Sequence, residues 1–256
     1  MDFAVLFGSL LVGFGAGVLS GLMGVGGAVL TTPGIRFLGA TPIAAVGSTV
    51  PAIIPGALAG AWRFAKAGLI DWRLAATCGI SGSVFAFIGA YIADLVNAQW
   101  LMVMSAVLVG ISGWRLLRSP ESPPVDDAAY LGASNAGLIA VGAAGGFFAG
   151  LFGVGGGIVM IPLFTGPLRM PARVAVATSL AAVAIFAIPS LLGHLWLGHI
   201  DWEYAAPLMV GTVPGARLGS ALTIGAEETL VRRRLAILLL IVAVIYGARE
   251  VADLLG

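Results

Sequence analysis

A glycine-rich string of seven residues occurs twice in the sequence, and it constrains the fold more than any other feature. The first copy, GLMGVGG, spans residues 21–27, and the second, GLFGVGG, spans residues 150–156. A proline follows each copy, Pro33 and Pro162, and both intervals are 129 residues. Four glycines in seven residues are unfavourable in a continuous helix. Each copy nevertheless lies inside a long apolar segment, where unpaired backbone amides are costly, so each predicts a helix break that other groups must satisfy.

Composition indicates that the strings lie in a membrane. Of the 256 residues, 59% are hydrophobic and 10% are Asp, Glu, Lys or Arg, whereas soluble domains carry about 25% charged residues. We therefore expect an all-α polytopic membrane protein embedded in the lipid bilayer. The net charge of +1 says nothing about nucleic acid, but the lack of a basic run argues against a nucleic-acid partner. The lone Cys78 supports neither a disulfide nor a metal site. No cofactor is expected.

The apolar segments predict two similar sets of helices. The first set covers about 3–22 and 27–38 around the first glycine loop, and then about 43–64, 73–94 and 99–117. The second covers a broken segment at about 131–165, and then about 172–197, 204–224 and 231–251. We expect Pro51 and Pro55 to kink their helix. The predicted domains are a first membrane repeat (1–118), a polar cytoplasmic linker (119–130) and a second membrane repeat (131–256).

Matches beyond the glycines indicate an internal duplication. Thr49 corresponds to Thr178, and the segment GLIDW at 68–72 corresponds to GHIDW at 198–202 with an offset of 130. The matching regions cover roughly 14–117 and 143–247. Within them, Asp71 and Asp201 are interpreted as helix N-caps rather than as proton relays, because Asp is a good N-cap and the Trp that follows each one favours the headgroup region.

The distribution of positive charge predicts that the two repeats have opposite orientations. Lys and Arg accumulate on the cytoplasmic side of membrane proteins. With the repeats parallel and Arg217 left aside, the twelve cations divide six to six. With the repeats inverted, only Arg36 and Arg249 lie outside, and ten lie inside: Arg63, Lys66, Arg73, Arg115, Arg118, Arg169, Arg173, Arg232, Arg233 and Arg234.

Inversion requires an odd number of crossings in each repeat, which three spans plus one broken hairpin satisfy. Each glycine string is then the tip of a hairpin whose second arm is short. The sequence leaves open whether the hairpins cross fully or are re-entrant. It also leaves open an ordinary eight-span bundle in which the glycines only permit tight helix crossings.

The tips predict an anion site. A helix that restarts after a glycine loop presents unpaired N–H groups and the positive end of its dipole, and glycine lets a small anion approach the backbone. In transporters with inverted repeats, substrates bind near the midplane where such broken helices meet. The predicted site contains tip glycines and nearby hydroxyls, although each hydroxyl is more often bonded to its own helix: Gly24, Gly26, Gly27, Thr31, Ser48, Thr49, Gly153, Gly155, Gly156, Gly157, Thr178 and Ser179.

Two further side chains are weighed for this site. Arg217 lies inside an apolar span, where an Arg costs roughly 2.5–3.5 kcal/mol on insertion scales, and its counterpart in the first repeat is Phe87. Arg217 therefore either binds the anion or extends to the cytoplasmic surface. His194 lies close to the end of its span, where it is either a proton-coupling group or an interfacial histidine.

The two strings with their prolines, the segment Ala177-Thr178-Ser179 and the duplication together resemble the TauE/SafE family of sulfite and organosulfonate exporters. The resemblance covers nearly the whole chain. It implies a transporter of small sulfur-containing anions such as sulfite, thiosulfate or sulfonates, in a bacterial inner or plastid-type membrane, coupled to an ion gradient. The proton and sodium both remain candidate coupling ions, and a homodimer remains open.

The expected function is therefore a secondary transporter, acting as an exporter by alternating access between the two hairpins. The alternative on the same fold is a passive anion or small-solute channel. No ATP-binding G-x-x-x-x-G-K-[ST] motif is present, so a gradient or a partner must supply the energy. An intramembrane enzyme is disfavoured because the chain has no His-Glu-x-x-His motif and no second Cys. A non-transporting assembly subunit is a further alternative.

Overall fold

The computed structural model describes residues 3–118, 134–225 and 228–255, and this part of the chain is helical without strands. In chain order its helices are α1 Phe3–Met23, α2 Ala28–Phe37, α3 Pro42–Lys66, α4 Trp72–Leu95, α5 Ala98–Arg118, α6 Asn135–Phe152, α7 Gly157–Thr165, α8 Ala172–Trp196, α9 Trp202–Gly225 and α10 Glu228–Leu255. The all-α prediction is confirmed, and each predicted helix forms with its ends within a few residues of the expected bounds. The predicted linker at 119–130 lies outside the described residues, as do the side chains of Arg232, Arg233 and Arg234.

Five of the described helices are long and apolar enough to cross a membrane, namely α1, α3, α4, α6 and α8. Each has an 18-residue window with at most two charged residues. Helix α3 is continuous through Pro51 and Pro55. The architecture is therefore that of a multi-pass membrane protein.

The first helix packs on the second half of the chain through closely spaced glycines. A Cβ added at Gly13 would lie 2.9 Å from Leu208 Cα, and one added at Gly17 would lie 2.9 Å from Thr212 Cα. One turn later, a Cβ at Gly21 would lie 2.8 Å from the carbonyl carbon of Gly219. Residue numbers rise together along the contact, so α1 and α9 are parallel. Small residues at every fourth position allow this backbone-to-backbone approach.

The equivalent contact in the other half joins α6 to α4. A Cβ at Gly142 would lie 2.6 Å from Cys78 Cα, and a Cβ at Gly146 would lie 2.6 Å from Gly82 Cα. These two helices are also parallel. Each repeat therefore places its first helix against the fourth helix of the other repeat.

Helices that correspond by duplication run antiparallel where they meet. A Cβ at Gly60, near the end of α3, would lie 2.6 Å from Leu180 near the start of α8, whereas a Cβ at Gly47 would lie 2.6 Å from His199 Cβ, just after α8 ends. The same holds for α5 and α10, where Gly113 approaches Leu239 and Gly247 approaches Ala106. The orientation of the two repeats in a membrane stays a prediction.

These directions define two ends of the bundle. Arg63 and Lys66 near the end of α3 lie at the same end as Arg173 at the start of α8, and we call this the basic end. Asp71, just before α4, also lies there, because its N–H donates to Thr178 Oγ1 at 3.0 Å. The opposite end contains the ends of α4 and α8.

Two clusters of buried apolar side chains fill the interior. One includes Phe64 and Phe186 of α3 and α8, and the other includes Phe152 and Tyr246 of α6 and α10. Residues next to both glycine strings belong to these clusters. The strings therefore lie in the protein interior rather than at its surface.

Candidate functional site

Each glycine string separates a long helix from a short one, as the sequence predicts. Helix α1 ends at Met23 before α2 begins at Ala28, and α6 ends at Phe152 before α7 begins at Gly157. The glycines of the breaks have positive φ angles, a region that costs other L residues about 1–2 kcal/mol: Gly24, Gly26 and Gly27 in the first tip, and Gly153 and Gly155 in the second. The first tip, residues 24–27, and the second tip, residues 153–156, therefore depend on glycine for their backbone shape.

The two tips touch each other through their backbones. A Cβ added at Gly155 would collide with Val25 O, and one added at Gly157 would collide with Gly24 O. A Cβ at Gly26 would lie only 3.7 Å from Gly155 Cα. The predicted meeting of the glycine strings is present, and it leaves no room for a side chain at these contacts.

The tips lie halfway along the neighbouring helices. A Cβ at Gly26 would lie 3.1 Å from Val183 and 3.4 Å from Ile53, which are near the middles of α8 and α3. After α2, Leu38 returns to the start of α1, since a Cβ at Gly8 would lie 3.1 Å from Leu38 Cδ1. The first hairpin therefore returns to the end of the bundle where it begins, which is what the re-entrant alternative requires.

Hydroxyls of one repeat hold the tip of the other repeat. Thr49 Oγ1 on α3 donates to Gly153 O at 3.0 Å, and Ser179 Oγ on α8 donates to Gly24 O at 3.0 Å. Each hydroxyl also lies within reach of a carbonyl in its own helix, Val46 O and Val176 O. We call these two contacts the crossed braces.

The residues beside the crossed braces hold the starts of the fourth helices. Ser48 Oγ accepts from Asp201 N at 2.8 Å, and Thr178 Oγ1 accepts from Asp71 N. Ser48 therefore corresponds to Thr178, and Thr49 to Ser179, with an offset of 130. This corrects the sequence pairing of Thr49 with Thr178, which assumed the offset of the glycine strings.

The N-cap interpretation of the two aspartates is confirmed. Asp71 Oδ1 accepts from Leu74 N at 3.1 Å, and Asp201 Oδ1 accepts from Glu203 N at 2.9 Å. These bonds satisfy backbone donors at the helix starts that have no partner inside the helix.

Some buried hydroxyls near the first tip have no partner. Among the described residues, the hydroxyls of Thr31, Thr32 and Ser20 are buried without a hydrogen bond. A Cβ at Gly27 would lie 3.3 Å from Ser20 Cβ, so Ser20 adjoins the first tip. The sequence prediction included Thr31 but missed Ser20, which directly precedes the glycine string. Unpartnered buried hydroxyls are costly in a protein interior.

The remaining predicted residues lie in two places. Gly27 and Gly156 contact the first arm of their own hairpins, since a Cβ at Gly27 would lie 2.6 Å from Ala16 O and one at Gly156 would collide with Gly145 O. Arg217 is exposed on α9, between the buried residues Ala216 and Gly219 that face the bundle. The structure therefore does not bring Arg217 to the tips, and the alternative of a solvent- or headgroup-facing guanidinium fits its placement.

A small hollow with room for about one water molecule adjoins the first tip. Its walls expose only apolar surface, and its lining residues are Leu19, Met23, Val25, Gly27, Val29, Ile158 and Leu239. The hollow itself therefore offers an anion no polar contact.

His194 is fully buried and takes part in a chain of hydrogen bonds. Its Nε2 lies 2.8 Å from Gly150 O, and its Nδ1 lies 3.0 Å from Nδ1 of His199. His199 Nε2 in turn lies 2.9 Å from Asp94 Oδ1. His194 is thus a buried residue rather than an interfacial one. The sequence did not identify His199 or Asp94, because Asp94 and His199 are 105 residues apart. No metal-binding group of His, Cys, Asp and Glu is found among the described residues.

Comparison with known proteins gives one consistent result. The sequence model described as "Sulfite exporter TauE/SafE" matches residues 9–246. A probable membrane transporter protein of Xylella fastidiosa (strain 9a5c) is 31% identical, over 97% of this chain and 98% of its own length. Similar proteins of the same description are 28% identical in Bacillus subtilis, over 87% of this chain and 89% of the relative, and 26% identical in Methanocaldococcus jannaschii, over 82% and 83%. No solved structure matches the chain.

Proposed function

The chain belongs to the sulfite exporter TauE/SafE family of membrane transporters, and we propose that it is a secondary transporter that exports small sulfur-containing anions such as sulfite, thiosulfate or organosulfonates. The observation that carries this proposal is the contact of the two glycine tips halfway along α3 and α8. Its partners are the anion, the lipid bilayer and a coupling ion.

The tips offer the chemistry that a small anion needs without a buried cation. The second arms α2 and α7 begin at the tips, and the first amides of a helix lack partners inside the helix and carry the positive end of its dipole. Thr31 is 2% exposed, and its hydroxyl has no hydrogen-bond partner among the described residues. We therefore place the anion beside the first tip, with Thr31 and Ser20 as its side-chain ligands.

The helix directions support an inverted arrangement of the repeats. Corresponding helices, such as α3 and α8, run antiparallel where they meet. The basic end collects Arg63, Lys66, Arg73 and Arg173, while Arg36 ends its helix at the opposite end. By the positive-inside rule the basic end faces the cytoplasm. Broken helices that meet between inverted repeats are the arrangement in which alternating access operates.

The crossed braces suggest how the halves move together. Thr49 of the first repeat contacts the tip of the second, and Ser179 of the second contacts the tip of the first. A rocking of one repeat therefore changes the environment of both tips. In this mechanism the anion site opens alternately toward the basic end and the opposite end.

Binding and flux of purified protein test the proposal. A thermal-shift series with sulfite, thiosulfate, an organosulfonate and a carboxylate measures binding, because a ligand at 100 times its Kd stabilises the folded state by about 2.7 kcal/mol. Counterflow in proteoliposomes then separates a carrier from a channel: a carrier shows saturable exchange, whereas a channel shows none. Stabilisation by the carboxylate alone would overturn the substrate class, and flux without counterflow would overturn the carrier.

A pair of glycine variants tests the position of the site. Gly26 and Gly68 both have positive φ, but a Cβ at Gly26 points at the tip contact, whereas one at Gly68 has nothing within 4 Å. We expect both Gly26→Ala and Gly68→Ala to lose about 1–2 kcal/mol of stability for Ala in this backbone region, and Gly26→Ala to lose more, because its Cβ would lie 3.1 Å from Val183. Only Gly26→Ala should lose anion binding. Equal binding in both variants would remove the first tip from the site.

A further inference from the structure

We propose that Asp94, His199 and His194 form a proton-binding site that opens to the surface at Asp94 and ends on the second glycine string, and that this site couples anion transport to a proton. The coupling part rests on the proposed function, whereas the proton-binding part stands on the geometry alone. We call these three residues the histidine triad.

The hydrogen bonds of the triad require a fixed number of protons. A carbonyl oxygen only accepts, so His194 Nε2 must carry the hydrogen that it donates to Gly150 O. With that hydrogen in place, a neutral His194 has a bare Nδ1, which must accept from Nδ1 of His199 at 3.0 Å. The hydrogen of a neutral His199 is then used, and its Nε2 is bare.

The third link therefore needs one extra proton. A bare His199 Nε2 and an ionised Asp94 would place two lone pairs 2.9 Å apart. One proton on this link converts the repulsion into a charge-assisted hydrogen bond. The proton therefore lies on the link between His199 Nε2 and Asp94 Oδ1. Loss of this proton breaks the link.

The triad leads from the surface to the glycine string. The Asp94 side chain is 45% exposed, the His199 side chain is 5% exposed, and His194 is fully buried. Gly150 is the first residue of the second string, and its carbonyl lies in the last turn of α6, where carbonyls lack partners inside the helix. The proton on the link between His199 and Asp94 therefore acts through His194 on the hydrogen bond to Gly150 O. Gly150 lies at the end of α6, the arm that carries the second tip.

The positions that match the triad by the duplication show that the fold does not need a polar group there. With an offset of 130, Phe64 corresponds to His194, Leu69 to His199 and Ile224 to Asp94. Phe64 is fully buried, and Leu69 and Ile224 pack against the same apolar cluster. The carbonyl of Gly21, which matches Gly150, accepts from the Thr223 hydroxyl at 3.0 Å. A hydroxyl is therefore enough to cap the carbonyl at the end of the first arm. In the second arm the same position is capped by a histidine that is linked to two further titratable groups.

Few other titratable groups face the triad. Helix α6 contains none, and the first half of α3, beside His199, contains none. Helix α4 contributes Tyr91 one turn before Asp94, and Asp201 caps α9 just after His199 in the chain. The charged residues Arg36, Glu250 and Asp253 lie at the same end and bond to one another. The proton is therefore shared chiefly by His199 and Asp94.

Nitrogen NMR tests the proton site independently of transport. The chain has two histidines, both in the triad, so protein labelled with ¹⁵N-histidine reports on the triad alone. In nanodiscs titrated from alkaline to acid pH, we expect one ring to stay neutral with its hydrogen on Nε2 and the other ring to become doubly protonated. Asp94→Asn should lower the pH at which the second ring becomes doubly protonated, whereas Asp253→Asn, which removes a half-exposed acid at the same end, should leave that pH unchanged. Two neutral rings in the wild type throughout the titration, or no change in Asp94→Asn, would overturn the site.

Proteoliposomes test the coupling. Thiosulfate is the probe because it does not titrate near neutral pH, and two rates are measured: exchange at equal pH and accumulation driven by a pH gradient. In Asp94→Asn and His199→Gln the ratio of accumulation to exchange should fall at least about tenfold, an ordinary size for coupling between sites. Asp253→Asn should keep the wild-type ratio. An unchanged ratio in both triad variants would refute coupling. If the wild type exchanges no anion, the proposed function fails, and the NMR result still decides the proton site.

Discussion

The two hairpins are held alike at their tips but differently at their ends. Both tips are fixed by a hydroxyl from the other repeat, Thr49 for the second tip and Ser179 for the first. At the end of the first hairpin, Arg36 donates from Nε and Nη2 to both carboxylate oxygens of Glu250, at 2.8 and 2.9 Å. Thr165, the residue that matches Arg36, bonds its own helix at Ile161 O and has no other hydrogen bond to the described part of the chain.

The difference separates two kinds of feature in a duplicated chain. The braces, the N-caps and the glycine contacts occur in both repeats, and they position the tips. The ion pair of Arg36 with Glu250 and the histidine triad occur once each, and both lie at the end opposite the basic end. The first hairpin is therefore anchored by a buried ion pair, whereas the second is attached to groups that exchange a proton. We expect the second hairpin to be the one that moves.

Removal of the Arg36 anchor should have the largest effect on stability. Arg36→Met leaves the buried Glu250 carboxylate, which is 0% exposed, without its cation, although the Gln99 amide still donates to it at 2.7 Å. Breaking such a pair costs about 3–5 kcal/mol. Denaturant unfolding in detergent measures the loss. The matched variant Thr165→Val in the second hairpin should stay within about 0.5 kcal/mol of wild type. Equal losses in the two variants would show that both hairpins are anchored alike.

A substitution at the tip contact should have an intermediate effect. Gly157→Ala places a Cβ against Gly24 O, and overpacking of this kind costs about 1–3 kcal/mol. The first repeat already has Ala28 at the matching position, so Ala28→Gly should cost no more than the helix propensity difference, about 1 kcal/mol. The same unfolding measurement compares them. A neutral Gly157→Ala would show that the tips do not touch.

Of the three features, the crossed braces should contribute least to the free energy of unfolding, and the two braces should contribute equally. Thr49→Val and Ser179→Ala each remove one hydroxyl donor to a buried tip carbonyl, so each should cost about 1 kcal/mol. The two losses are compared by thermal unfolding. Ser190→Ala, which removes a buried hydroxyl on α8 that has no partner among the described residues, serves as control and should be neutral. A loss in only one brace variant would mean that the tips are held differently.

Much of the architecture follows from local sequence patterns. The glycine strings interrupt apolar segments, so the helix breaks between Met23 and Ala28 and between Phe152 and Gly157 are predictable from composition alone. Asp71 and Asp201 directly precede helices, which is why their capping role was predictable. The duplication predicted that the strings would meet, because identical hairpins in facing repeats reach the same depth.

Features that depend on which faces of two helices pack together were not predictable from the sequence. Whether Arg217 points into the bundle depends on the rotation of α9, which the glycine face toward α1 determines. The register of Thr49 with Ser179 requires a one-residue insertion after the strings that no single sequence locates. The histidine triad joins three elements, and His199 and Asp94 each looked like ordinary loop-end residues.

The glycine face of α1 has a consequence for biogenesis. Gly13, Gly17 and Gly21 pack on α9, which begins at Trp202, so α1 is synthesised long before the helix that it packs against. Until then its small-residue face is unmatched in the bilayer. Such long sequence separation slows assembly, and a chain truncated before α9 would leave α1 without its partner. Full-length synthesis is therefore a condition for the first tip to reach its place.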